Sequence, residues 1–260
     1  MRNLGILVLG LVLFTVSGYG QNLTKVRIGN AAEWAGTIAI VIHQGALFTV
    51  EQDGVLYRTD LSNGRWRAIG KPEFGGTDYL FSAANRLISL EGGSLYNINP
   101  ETGAWQMLGG PGEWANTETV NSFGTNIYTI ESDGTLYETN ATTGRYRAFP
   151  GNYKGTLGIL AAEGLLWTVE AGGNIWRVKT SDGSWELLPV SVPNSIARTN
   201  NGRILYLIDE AGALHRLDGQ AGTKQVLGSP IFGNTAWMGF LGQDLIILEK
   251  DGSLYRVRVN

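Results

Sequence analysis

The sequence predicts an all-β chain folded as a six-bladed β-propeller, with four-stranded blades of about 40 residues and the N-terminal strand completing the C-terminal blade. Three observations carry this. A short phrase recurs six times, as Gly54-Val55-Leu56-Tyr57, Gly93-Ser94-Leu95-Tyr96, Gly134-Thr135-Leu136-Tyr137, Gly173-Asn174-Ile175-Trp176, Gly212-Ala213-Leu214-His215 and Gly252-Ser253-Leu254-Tyr255. Its leading glycines stand 39, 41, 39, 39 and 40 residues apart, a period that suits one supersecondary unit per repeat. The two ends are complementary. The last repeat stops after its third strand at Tyr255–Asn260, while Thr24-Lys25-Val26-Arg27-Ile28-Gly29 matches Thr223-Lys224-Gln225-Val226-Leu227-Gly228. Pairing the orphan strand with the last blade closes the ring and leaves no frayed sheet edge.

The second repeat shows how each strand arises. Thr77 to Ser82 alternates polar and bulky residues and reads as the innermost strand; Arg86 to Glu91 is the second. Gly92-Gly93 is the tight hairpin between strands two and three, where a positive φ favours glycine. Ser94 to Asn99 is the third strand, Pro100 to Gly103 a turn with proline at its favoured place, and Ala104 to Leu108 the outer strand. An outer-strand aromatic recurs as Trp66, Trp105, Tyr146 and Trp185, each after a turn glycine (Gly64, Gly103, Gly144, Gly183).

Residues 1–20 read as a signal peptide: Arg2 is a short positive region, Leu4 to Val16 an apolar run, and Ser17-Gly18-Tyr19-Gly20 a small-residue cleavage site. Residues 21–260 then form a single propeller domain, expected to be exported to the periplasm, the medium or the cell surface. No other stretch reaches the roughly 18 apolar residues that span a bilayer. The chain has no cysteine, so it forms no disulfide and carries no lipid on a cysteine; a domain of this size buries enough surface to do without. The formal net charge is −3 with no basic stripe, which argues against nucleic acid as a partner.

Two more positions recur that strand geometry alone does not demand. An acid ends each second strand: Glu51, Glu91, Glu131, Glu170, Asp209 and Glu249. An aromatic leads into each blade three residues before a threonine: Trp34 with Thr37, Phe74 with Thr77, Trp114 with Thr117, Tyr153 with Thr156 and Phe232 with Thr235. Blade five departs, with Val192 and Ser195. Both rings belong to the same face of a propeller. The acids are expected to be structural, accepting hydrogen bonds from turn amides and from the threonine hydroxyls, and they are too dispersed to converge on one metal ion. The aromatics either plug the gaps between blades or, from Gly- and Asn-rich connections, offer flat platforms for the C–H face of a sugar.

The pattern from Leu47-Phe48-Thr49-Val50 through Gly64-Arg65-Trp66-Arg67-Ala68-Ile69-Gly70 resembles the repeats of tectonin- and tachylectin-like propeller lectins, and the likeness runs through all six repeats. Leu95 to Trp105 is also similar to quinone-binding-type and kelch-like repeats. The lectin resemblance implies glycan recognition at or between blades, with the five aromatics and their threonines as candidate ligand-binding residues. Blade five is the exception, with His215 for tyrosine and Lys224 for the outer tryptophan.

A catalytic reading rests on Asp78, Glu118, Asn121 and Arg198 on inner strands facing the channel, a set that could serve a lactonase-like hydrolase around a calcium ion. Against it, no Gly-x-Ser-x-Gly elbow occurs, and His43 and His215 have no partner at ligand spacing. The expectation is therefore a binding propeller that is not an enzyme and needs no metal or cofactor. Its partners would be glycans or, in the alternative, envelope or surface proteins held by the same aromatics.

Overall fold

The computed structural model describes residues 23–259; the segment read as a signal peptide lies outside the described residues. Six four-stranded antiparallel sheets are arranged as a β-propeller, the first five ordered from inner to outer strand along the chain. Blade one comprises Thr37–His43, Ala46–Glu51, Leu56–Thr59 and Trp66–Ile69. Blade six comprises Thr235–Leu241, Asp244–Glu249 and Leu254–Arg258, completed by Lys25–Ile28. The closing strand pairs antiparallel with Leu254–Arg258, from Lys25 opposite Val257 to Ile28 opposite Leu254. The complementary ends thus close the ring as their sequences require.

Blade packing explains why a single repeat cannot fold alone. The second strands are buried on both faces and read as nearly continuous apolar runs, such as Leu47, Phe48 and Val50 or Leu245 to Leu248. Each core cluster joins two successive blades, and the residue leading into the later blade sits within it. Phe74 packs with Phe48, Val50 and Leu56 of blade one and with Leu80, Leu87 and Ile98 of blade two. Trp34 does the same between blades six and one, Tyr153 between three and four, Val192 between four and five, and Phe232 between five and six.

The repeated glycine turns out to clip neighbouring blades. In all six hairpins its carbonyl accepts the backbone N–H of the next lead-in residue: Gly252 from Trp34, Gly54 from Phe74, Gly93 from Trp114, Gly134 from Tyr153, Gly173 from Val192 and Gly212 from Phe232, at 2.8–3.0 Å. At Gly252 φ is +81° and a Cβ would lie 2.2 Å from the Ala35 nitrogen, so only glycine permits the approach.

Of the two places the sequence left open for the lead-in aromatics, the clip puts them in the gaps between blades and not on surface loops. Trp34, Phe74, Tyr153 and Phe232 are at most 8% exposed, and Trp114 is half-buried. Drawn beneath the preceding hairpin, each ring turns inward between two sheets, where burial of its apolar surface is worth more than display.

Candidate functional site: repeated pockets between blades

The two recurrent rings of the sequence meet in space. Thr37, Thr77, Thr117, Thr156, Ser195 and Thr235 stand directly opposite Glu51, Glu91, Glu131, Glu170, Asp209 and Glu249, each pair followed by a break in register on the inner strand. The expected hydroxyl-to-carboxylate bond is made by Thr37 to Glu51 at 2.8 Å and by Thr117 to Glu131 at 3.0 Å. Elsewhere other donors take the acid. Trp176 and Asn174 donate to Glu170 at 2.9 and 3.0 Å, and Asp209 meets His215 Nε2 at 2.8 Å and the Ala213 N–H at 2.9 Å. The buried hydroxyls of Thr77, Ser195 and Thr235 have no hydrogen-bond partner among the described residues.

Beside this ring, equivalent pockets open in blades one and two. The first, of about 130 Å³, is lined by Glu33, Trp34, Thr49, Glu51, Tyr57 and Trp66; the second, of about 160 Å³, by Glu73, Phe74, Ser89, Glu91, Tyr96 and Trp105. The six positions correspond one to one. Each volume equals four or five waters at about 30 Å³ each, room for a small polar headgroup or most of one sugar ring.

The third and outer strands build the aromatic wall. Tyr57 meets Trp66 edge to face at 5.3 Å between ring centres, and Tyr96 meets Trp105 at 5.1 Å. These tryptophans are half exposed, so their indoles form the rim. Each indole N–H points at the acid before the lead-in aromatic, Trp66 to Glu33 at 3.4 Å and Trp105 to Glu73 at 3.1 Å. Hydrogen bonds from the Asn30 backbone N–H (2.7 Å) and side-chain amide (2.8 Å) hold the Glu33 carboxyl below its ordinary range. Burial pushes Glu91 the other way, above that range; the Gly76 N–H opposes the shift and the Asp78 charge adds to it. At the floor, Thr49 and Ser89 are fully buried with hydroxyls that have no partner among the described residues.

Around the ring this arrangement changes by degrees. Blade three keeps the types with Glu113, Trp114, Thr129, Glu131, Tyr137 and Tyr146. Blade four has Asn152, Tyr153, Thr168, Glu170, Trp176 and Trp185, the last two packed edge to face at 4.9 Å. In blades five and six the rim aromatic becomes Lys224 and Lys25, and the floor hydroxyl becomes Leu207 and Ile247, both fully buried. The sequence displayed the outer-strand aromatics, but as markers of strands. The signal that would have marked them as a site is their coincidence, repeat by repeat, with a hydroxyl two residues before the acid.

The channel residues are tied into neighbouring backbone. Asn121 donates to the Ile159 carbonyl at 2.6 Å, Arg198 to the carbonyls of Leu157 and Ser195, and the Tyr79 hydroxyl to the Glu118 carbonyl. The exposed Asp78 accepts the Gly92 N–H at 3.2 Å. His43 is buried on Ser82 at 2.8 Å, and desolvation lowers its pKa.

No protein-family model matches this chain, and no curated protein matches it. Solved structures do. A virginiamycin B lyase from Staphylococcus aureus is similar with a TM-score of 0.62 at 14% identity, covering 92% of this chain and 99% of its own. The computationally designed Ika8 protein follows with 0.54 at 16%, covering 86% of this chain and 71% of its own. BamB from Moraxella catarrhalis gives 0.51 at 15%, over 85% and 69%. At such identities the likeness shows the fold alone, a β-propeller, which this chain's own sheets make six-bladed, and no particular activity. It also corrects the expectation that the chain is not an enzyme. A lyase is built on a similar fold, so missing elbow and histidine motifs exclude only the chemistries that need them.

Proposed function

We propose that this protein is a multivalent binding propeller that recognises carbohydrate at the pockets between blades, foremost those of blades one and two. The observation that carries the reading is the repeated constellation itself: a half-exposed indole at the rim, two carboxylates, and a buried unpartnered hydroxyl, twice over in equivalent positions. An indole face suits the C–H side of a sugar, and carboxylate and hydroxyl groups take its hydroxyls. The lead-in aromatics Trp34 and Phe74 act from the floor in this reading, with Thr37 and Thr77 behind the acids. Trp114, Tyr153 and Phe232, with Thr117, Thr156 and Thr235, hold the equivalent places in other blades. The lectin-like repeat pattern supports the same ligand class. The apolar run before residue 20 supports export, which would bring the protein to envelope or surface glycans, and no helix among the described residues is long and apolar enough to cross a membrane.

The test is binding of the protein, expressed without residues 1–20, to immobilised oligosaccharides in competition with free ones. Saturable, competed binding that falls on Trp66→Ala and Trp105→Ala supports the reading; no binding to any saccharide overturns it. A second reading, a docking surface for a protein partner, is favoured by the exposed Trp66, Trp105, Tyr146 and Trp185 on four consecutive blades. Recovery of one stoichiometric partner, lost on the same substitutions and indifferent to sugar, would support it instead.

A further inference from the structure

In blade six a cation of the chain itself stands at the place where blades one and two carry the rim indole. Lys25 stands on the outer strand opposite Val257, the place that Trp66 holds opposite Thr59 and Trp105 opposite Ile98. Its ammonium forms an ion pair with Glu249, the counterpart of Glu51 and Glu91. It also donates to the Ile231 carbonyl at 3.2 Å and lies 5.0 Å from the centre of the Tyr255 ring, the counterpart of Tyr57 and Tyr96. A carboxylate, a carbonyl and an aromatic face around one ammonium make a cation cage. Lys224 makes a similar approach in blade five, donating to the Ser191 carbonyl at 2.8 Å, while His215 takes up Asp209.

Blades one and two keep the walls of that cage and omit the cation. The carboxylate and the tyrosine remain, an indole replaces the lysine as a second aromatic wall, and Glu33 or Glu73 supplies a second carboxylate where blade six has Ile231. Among the described residues, none of Glu33, Glu51, Glu73 and Glu91 forms an ion pair. The raised pKa of Glu91 fits a carboxylate that is desolvated without its counter-ion. The hydroxyls of Thr49 and Ser89, fully buried at the floor, have no hydrogen-bond partner among the described residues.

Resting on the carbohydrate reading, we propose that the pockets of blades one and two select a saccharide bearing a free, protonated amine, an amino sugar rather than its N-acetylated or neutral counterpart. The ammonium takes the place that Lys25 Nζ takes in blade six, between the paired carboxylates and against the tyrosine. The sugar ring lies along Trp66 or Trp105, with the Thr49 or Ser89 hydroxyl in reach of its polar groups. Indole and hydroxyl are what separate this ligand from a plain alkyl ammonium, which blade six serves with neither.

The experiment compares a glucosamine tetramer, an N-acetylglucosamine tetramer, a glucose tetramer and oligolysine by titration calorimetry at equal ionic strength. The glucosamine tetramer should bind about tenfold or more tighter than the other two sugars, the scale of a charge-assisted hydrogen bond. Trp66→Lys with Trp105→Lys should supply the cation internally, as blade six does, and abolish that binding; unchanged melting shows that the fold is kept. Glu51→Gln with Glu91→Gln should erase the preference for the free amine while sugar binding persists. Equal affinity for the glucose tetramer overturns this inference and leaves the carbohydrate reading standing; no binding of any sugar overturns both. Binding of oligolysine alone, or full glucosamine affinity in the Trp66→Lys and Trp105→Lys variant, also overturns it.

Discussion

Blades one and two share their backbone plan with blades five and six, with the same strand order, the same hairpin clip and the same break in register after the hydroxyl. Three positions differ in both members of the second pair, and blade five departs further with Val192, Asp209 and His215. Where the first pair has Trp66 and Trp105 at the rim, Thr49 and Ser89 at the floor, and Glu33 and Glu73 before the lead-in aromatic, the second pair has Lys224 and Lys25, Leu207 and Ile247, and Ser191 and Ile231. In the second pair a buried aliphatic side chain stands at the floor, and the lysine meets a carboxylate or a carbonyl. Blade six also has a structural use for its lysine. Lys25 lies on the strand that closes the ring, and its pair with Glu249 reaches across Leu254–Arg258 to the second strand of the same blade. Blades one and two are joined by continuous chain and need no such tie, and among the described residues their carboxylates accept hydrogen bonds but form no ion pair.

The sharpest break in the comparison is at the clip. Gly252→Ala should cost about 3–4 kcal/mol, combining a positive φ with a forced backbone clash. Gly54→Ala should cost less, because its Cβ would stand 3.2 Å from the Gly75 nitrogen instead of 2.2 Å from that of Ala35. Denaturant unfolding of both variants checks the order, and equal losses would mean that the seam between blades six and one is not special. Next in size is Lys25→Met, which strands the buried Glu249 and should cost about 3 kcal/mol. Trp66→Ala, at the equivalent place in blade one, should leave stability much closer to that of the parent.

Smaller effects separate the acids. Thr37→Val removes the donor to Glu51 and should cost about 1 kcal/mol. Thr235→Val should be near neutral, because Lys25 holds Glu249 and the Thr235 hydroxyl has no partner to lose. A similar loss for both would show that the hydroxyl ring works alike in every blade. The smallest effect belongs to Glu91. Its folded pKa is raised, so its charged form works against folding above that pKa, and acidification toward the ordinary carboxylate value relieves the penalty. Glu91→Gln should therefore match or exceed the parent in stability at neutral pH and lose that advantage in acid, whereas Glu249→Gln should be weaker at neutral pH. Melting curves from neutral pH to about pH 4 resolve the two.

The blades were legible because their cause is local. Alternation, hairpin glycines and a period near forty place four strands per repeat, and Arg86 to Glu91 of the reading coincides with the observed second strand. Closure was legible because Thr24 to Gly29 repeats the outer-strand pattern that the last blade lacks. The acid and hydroxyl rings were visible as rings, and their facing pairs follow from a conserved offset between adjacent strands. The site was less legible. The lead-in aromatics drew notice for their types and their loops, while the direction of each ring depends on a hydrogen bond to a hairpin of the preceding blade, about 20 residues earlier in the chain, or in Trp34's case to Gly252 across the closure.

What the sequence by itself determined is the repeat, the strand grammar within it and the pairing of its ends, because each follows from short-range periodicity and from the need to leave no open edge. Only the tertiary structure decided which aromatics face solvent, which acids keep a partner and where space remains. Those outcomes depend on side chains from three strands and a preceding loop converging at one rim, and on whether Lys25 or Trp66 stands at the last of those places. The positions that share a pocket recur from repeat to repeat, but whether space remains among them depends on how their side chains meet in the folded blade, which their spacing does not record.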